Sequence, residues 1–135
     1  MAGGMLLVVG VDGMVEGEVF RVPSGSQVVI GRSRSCDISL RKCLKYLSLD
    51  PEERARNKHF QTVSRQHLQL SVEGPEHIEI ENLGANGCKL DGEAIDKVIL
   101  SDLPDKPREV VLGTKEKIRL EWKFEDGTET SGTVQ

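Results

Sequence analysis

His77-Ile78-Glu79-Ile80-Glu81 decides the fold class. Polar and apolar side chains alternate strictly over these five residues, the period of a half-buried strand rather than of a helix. The same alternation recurs outward from it. His67-Leu68-Gln69-Leu70-Ser71-Val72 lies just upstream, beyond Gly74-Pro75, and Lys117-Ile118-Arg119-Leu120-Glu121-Trp122 lies downstream. Glu18–Val22, Gln27–Ile30 and Asp37–Leu40 read as further strands, and the apolar Met5–Val9 as the first. Turn signals separate them: Val11-Asp12-Gly13, Pro23-Ser24-Gly25, Leu90-Asp91-Gly92 and Gly113-Thr114. Many short strands at this spacing predict an all-β sandwich or barrel. No fixed period appears, which argues against a solenoid or propeller.

The chain has 135 residues, one domain's worth. Residues 1–124 are expected to form that domain. The polar, acidic run from Glu125 to Gln135 is expected to be a disordered tail. No stretch of about 18 apolar residues exists to span a membrane. Met5–Val9 lacks a basic leader and is soon broken by Gly10, Asp12 and Gly13, so it reads as a strand and not as a signal peptide. Cys36, Cys43 and Cys88 are odd in number and lack CxxC spacing. A disulfide framework and a zinc ribbon are therefore disfavoured, and three reduced thiols in a cytoplasmic protein are expected.

One segment breaks the alternation. Arg41 to Gln61 has no strand pattern, and Asp50-Pro51-Glu52-Glu53 combines a capping Asp, a Pro at the first helical position and a Glu three residues after the cap. Arg54–Lys58 is expected to continue that short helix. The segment reads as an insertion of about twenty residues, a length at which loops usually carry function or disorder.

The net charge of −4 argues against a nucleic-acid binder, but the charge is unevenly spread. Gly31 to His67 holds nine basic and four acidic residues, for +5, while the other 98 residues sum to −9. A basic island in an acidic chain points to a localised anion site or, more simply, to a solvated loop. The only aromatics are Phe20, Tyr46, Phe60, Trp122 and Phe124, too few for a base-stacking platform. No GxxxxGK[ST] loop and no GxSxG elbow exists. His59, His67 and His77 are too scattered to suggest a metal site. Ser64 and His67 lie three residues apart with no local oxyanion hole, so a hydrolase is the weakest reading and no catalytic residue is assigned.

A phosphate carried by a protein is the remaining anion. Gly31-Arg32 ends a strand, Ser64-Arg65-Gln66-His67 opens the next one beyond the insertion, and Asn86-Gly87 sits in a turn. This set, in this order within an all-β pattern, resembles the forkhead-associated (FHA) domain, a phosphothreonine-peptide binding module. The resemblance spans nearly the whole chain and implies an eleven-stranded β-sandwich with the helical insertion at about 41–61. It implies that Arg32 and Ser64 bind the phosphate, that Arg65 adds a second basic contact, and that Asn86 hydrogen-bonds the peptide main chain. Gly31, Gly87 and His67 would shape the site, the glycines by permitting tight turns. The chemistry is apt: phosphothreonine carries a charge near −2, and Arg presents a planar fork of permanent donors.

Ala85 stands where the family often has Ser or Thr, Cys88 where Thr is common, and Asp91 where Asn is frequent. A lost hydroxyl contact and an extra negative charge near the peptide track would both weaken binding. The insertion is expected to bring Lys42, Lys45, Arg54, Arg56 and Lys58 to the phosphate edge as a lid or a second contact surface. The resemblance thus implies a module with no enzymatic activity and no cofactor or metal. Its partner would be a protein phosphorylated on threonine by an upstream Ser/Thr kinase, not a nucleic acid or a membrane. The alternative is an FHA-fold scaffold that binds a partner through the 41–61 insertion or a sheet face, whatever its phosphorylation.

Overall fold

The computed structural model describes residues 4–124. Eleven strands form two sheets, the all-β sandwich expected from the alternation. They are β1 (Gly4–Asp12), β2 (Val19–Pro23), β3 (Ser26–Gly31), β4 (Ile38–Ser39), β5 (Leu68–Gly74), β6 (His77–Asn82), β7 (Cys88–Leu90), β8 (Glu93–Ile95), β9 (Lys97–Leu100), β10 (Arg108–Leu112) and β11 (Glu116–Phe124). One sheet runs β2-β1-β11-β10-β7-β8 and the other β4-β3-β5-β6-β9. All pairings are antiparallel except that of β3 with β4. The expected tail at 125–135 lies outside the described residues.

Alternation places the core between the sheets. Leu68, Leu70 and Val72 of β5 point inward with Ile78 and Ile80 of β6, facing Leu6 and Val8 of β1 and Ile118 and Leu120 of β11. Burying each such side chain contributes about 1.5–3 kcal/mol. β5 and β6 pair in register from Leu68 opposite Asn82 to Val72 opposite Ile78, so a one-residue slip of β5 would turn its three core side chains to solvent.

Asp37–Leu40 was expected to be a strand, but only Ile38 and Ser39 pair; Leu40 already begins a 3-10 turn that ends at Lys42. The insertion is helical in three short pieces: α1 (Leu44–Leu47), α2 (Pro51–Arg56) and α3 (Lys58–Gln61). The capping box of α2 is complete. Glu53 N–H donates to Asp50 Oδ1 at 2.8 Å, and Asp50 N–H donates to Glu53 Oε1 at 3.0 Å. α2 does not run on to Lys58 as expected. Asn57 leaves the helical region at ψ 93° and instead caps α3, accepting from Phe60 N–H at 2.9 Å. Buried Tyr46 and Phe60, with ring centroids 4.8 Å apart, fasten the insertion to the core.

Candidate functional site

Three chain segments meet beyond the ends of β3 and β5. β3 runs out at Gly31, and the next two residues continue pairing with the segment before β5. Arg32 N–H donates to Ser64 O at 3.1 Å, Ser33 N–H to Arg65 O at 3.1 Å, and His67 N–H to Ile30 O at 2.8 Å. Gly31 was expected to permit a tight turn; its reason is different. A Cβ there would lie 2.1 Å from the Arg65 carbonyl oxygen, so glycine is what lets the two backbones approach. The Cys36 thiol donates to that same carbonyl at 3.0 Å, and burial pushes this thiol's pKa up. Burial also pushes the Cys43 and Cys88 thiols up to about 12, and all three cysteines are free.

The third segment is the β6–β7 loop. Ala85 N–H donates to Ser64 Oγ at 3.1 Å, and Asn86 Nδ2 donates to Thr62 O at 2.8 Å. Gly87 adopts φ +79°, where a non-glycine residue is strained.

His67 is fully buried beneath this junction. Its Nδ1 accepts from Ser64 N–H at 2.9 Å, so the ring proton sits on Nε2, which donates to Gly87 O at 2.7 Å. Burial holds its pKa below the ordinary histidine value, against the opposing effect of the Gly87 carbonyl. One neutral ring thus ties the Ser64 loop to the Asn86-Gly87 loop. Gly84, absent from the sequence-derived set, belongs with it: a Cβ there would meet the imidazole at 2.4 Å. Leu83 N–H donates to His67 O at 2.8 Å beside it. Ser64 Oγ accepts from Ala85 N–H and, among the described residues, has no hydrogen bond to a histidine or other base.

Arg32 is half-buried, and its Nε donates to Val63 O, which leaves the rest of the guanidinium fork without a protein acceptor among the described residues. Arg65 is exposed. Ser33, Ser35, Ser64, Arg65 and Gln66 line an open cleft of about 490 Å³, and Ser33 and Arg65 continue into the neighbouring cleft that holds Arg32. A larger cleft of about 580 Å³, between Met14, His59 and Lys115, contains none of these residues.

These seven positions, Gly31, Arg32, Ser64, Arg65, His67, Asn86 and Gly87, are joined through the contacts just described. The FHA domain family model matches residues 28–104, more than half of the chain. The chain belongs to the FHA family.

Similar FHA structures support the fold. One is the FHA domain of CT664 from Chlamydia trachomatis, at TM-score 0.62 and 23% identity over 87% of this chain and 96% of that one. Another is the FHA domain of an Arabidopsis thaliana hypothetical protein, at TM-score 0.64 and 23% identity, covering 88% and 86% respectively. A third is an FHA domain analysed for phosphothreonine-dependent interactions, at TM-score 0.60 and 19% identity, covering 87% and 95%. No curated protein matches the chain in sequence. The matched FHA region leaves β1, β2, β10 and β11 outside it, yet these strands are four of the six in one sheet and supply most of its core.

Two expectations for this FHA domain change in character. Asp91, in the left-handed region at φ 49°, is paired with Arg108 and accepts from Glu109 N–H at 3.0 Å. Partial burial pushes its carboxyl up, but the Glu109 N–H and Arg108 outweigh this and hold it below the usual carboxylate range. Its charge is matched within the fold rather than offered to a ligand. Of the five cations expected from the insertion, Arg54 does line a cleft with Arg32, and the others are dispersed. Lys45 pairs with Glu16 at 2.6 Å, Arg56 lies 4.0 Å from Glu52, Lys42 lines a small pocket together with Glu18 and Asp37, and Lys58 lines the remote cleft with Lys115. Arg54 stacks on the Tyr46 ring and donates to the Tyr46 and Leu47 carbonyls.

Proposed function

We propose that this chain is a phosphothreonine-dependent interaction module that binds a phosphorylated segment of a partner through the loops around Arg32, Ser64 and Asn86. The observation that carries this reading is the Arg32–Ser64 junction. A permanent cation with free donors and a serine side chain are held together by a backbone hydrogen bond of 3.1 Å, each lining one of two neighbouring solvent-open clefts that share Ser33 and Arg65. Such a pair suits an oxyanion with three acceptor oxygens. Arg65 supplies further positive charge at the rim, and Asn86 would reach the peptide main chain beside the phosphate. The FHA domain of comparison studied for phosphothreonine-dependent interactions, and an engineered FHA with a Myc-pTBD peptide, support the ligand class.

In this reading residues 1–124 are the binding unit, the partner is made competent by a Ser/Thr kinase, and the chain itself performs no chemistry. It acts in the cytoplasm, where such kinases work and where three unpaired thiols stay reduced. Among the described residues no helix is long and apolar enough to cross a membrane. The test is an oriented phosphothreonine peptide library screened beside its unphosphorylated counterpart. Selective retention of the phosphorylated pool supports the reading, and equal retention of both overturns it.

A second reading has one observation in its favour. Leu44 and Leu47, on α1 of the insertion, are 75% and 52% exposed. A scaffold that docks through this patch would keep its partners after phosphatase treatment, whereas the first reading predicts their loss.

A further inference from the structure

Arg32 and Arg65 do not stand alone. A cleft of about 300 Å³ is lined by Arg32, Ser33, Arg34, Arg41 and Arg65. Four guanidinium groups and a hydroxyl surround it, and its lining has no carboxylate. Among the described residues none of the four arginines is ion-paired, whereas Arg56, Arg108 and Arg119 all lie beside a carboxylate. Four permanent like charges converge here with no counter-charge from the fold.

Arg41 is the most informative of them. Its Nε is shut off from solvent and has no hydrogen-bond partner. Its neighbour Arg54, reached through the adjoining cleft, has two carbonyl acceptors and an aromatic ring. Arg41 lines both clefts, as Arg32 does, and therefore forms part of the wall between them. Packing holds it there, with no protein acceptor to offset its desolvation. The side chain is half-buried, so burying that Nε without an acceptor holds the arm in place while its charged end lines the cleft, where a ligand can supply acceptors.

We propose that Arg34 and Arg41 form a second phosphate subsite beside Arg32, so that the preferred ligand is a peptide phosphorylated twice, on threonine and on a nearby side chain. This rests on the reading of Arg32 and Ser64 as the phosphothreonine site. The charge count favours a second phosphate over a carboxylate. One phosphothreonine brings about −2 against the cleft's four cations, and a second phosphate completes the balance. Side chains two residues apart on an extended peptide lie on one side, about 7 Å from each other, within reach of a cleft of this size.

The test is calorimetric titration of the whole chain with peptides of one sequence. They carry no phosphate, phosphothreonine alone, phosphothreonine plus phosphoserine, or phosphothreonine plus glutamate. The second group is placed one, two or three residues to either side. At one spacing the doubly phosphorylated peptide should bind about tenfold tighter than the singly phosphorylated one, or better. Arg41→Gln and, independently, the exposed Arg34→Ala should each remove most of that gain while leaving affinity for phosphothreonine alone within about twofold. The proposal is overturned if no spacing gives a gain, if the gain survives both substitutions, or if glutamate matches phosphoserine. Should phosphothreonine alone bind while the second phosphate adds nothing, only this proposal fails. Should no phosphopeptide bind at all, the proposed function fails with it.

Discussion

Ser64 and His67 are joined through the Ser64 backbone nitrogen, which donates to His67 Nδ1 at 2.9 Å, while the Ser64 hydroxyl accepts from Ala85. The imidazole is therefore a strut between two loops. Replacing it should damage both stability and binding. His67→Ala leaves the Ser64 N–H and the Gly87 carbonyl without partners and opens a cavity at a fully buried position. A loss of about 2–4 kcal/mol is expected in a denaturant titration. A loss of under half a kcal/mol would mean that the strut does not hold the loops.

The same strut predicts an acid limit. In the fold His67 has a pKa below its ordinary 6.5, so the unfolded chain binds the proton more readily. The stability contributed by the neutral ring is complete above pH 6.5 and is lost as pH falls through the folded value. Protonation would also set an N–H at Nδ1 against the Ser64 N–H. Thermal melts from pH 7.5 downward should show this decline, and NMR should show the His67 ring titrating below 6.5. A ring that titrates above 6.5 would contradict the assignment.

Glu116 predicts the opposite slope. Its carboxylate is almost fully buried and accepts from Met14 N–H at 2.8 Å and Val15 N–H at 3.1 Å. Burial raises its pKa above 4.5 despite those two donors. The folded chain therefore holds this proton more tightly than the unfolded one. The associated stability is complete below pH 4.5 and is lost as pH rises through the folded value. Glu116→Gln should remove this component from the pH–stability profile. A profile of unchanged shape would show that Glu116 does not titrate as described.

Gly31 and Gly87 should respond differently to alanine. At Gly87 nothing lies within 4 Å of the added Cβ, and only the positive φ resists, at about 1–2 kcal/mol of stability. At Gly31 the Cβ meets the Arg65 carbonyl, so β3 must part from the Ser64–Arg65 segment. Phosphopeptide affinity should fall at least tenfold more for Gly31→Ala than for Gly87→Ala, as read by calorimetry on folded protein. Equal effects would mean that the spacing of Arg32 from Ser64 does not matter.

What was legible in the sequence follows from the physics of each element. β1, β2, β3, β5, β6 and β11 show alternation or a clear apolar run because neighbouring side chains divide between core and solvent. β7 and β8 have three residues each, too few to display a period, and β8 buries none of its side chains. Lys97-Val98-Ile99-Leu100 of β9 and Arg108–Leu112 of β10 read as apolar runs without alternation, and Ile99 is half exposed, so neither pattern announces a strand. The site residues were legible because their spacing matches a family pattern. Gly84 was not, since its requirement comes from the His67 ring seventeen positions away. Arg41 was hidden in a run of cations. Only packing separates it from Lys42, which lines a pocket with two acidic residues, and from Lys45, which pairs with Glu16.

The most direct measurement is calorimetric titration of a library-selected phosphothreonine peptide and its unphosphorylated form into the chain and into Arg32→Ala, with a thermal melt of each protein. The account predicts binding of the phosphopeptide alone to the parent chain, with at least a hundredfold loss in Arg32→Ala and a melting transition that remains cooperative. Comparable affinity for both peptides, or phosphopeptide binding retained by the folded Arg32→Ala variant, would contradict it.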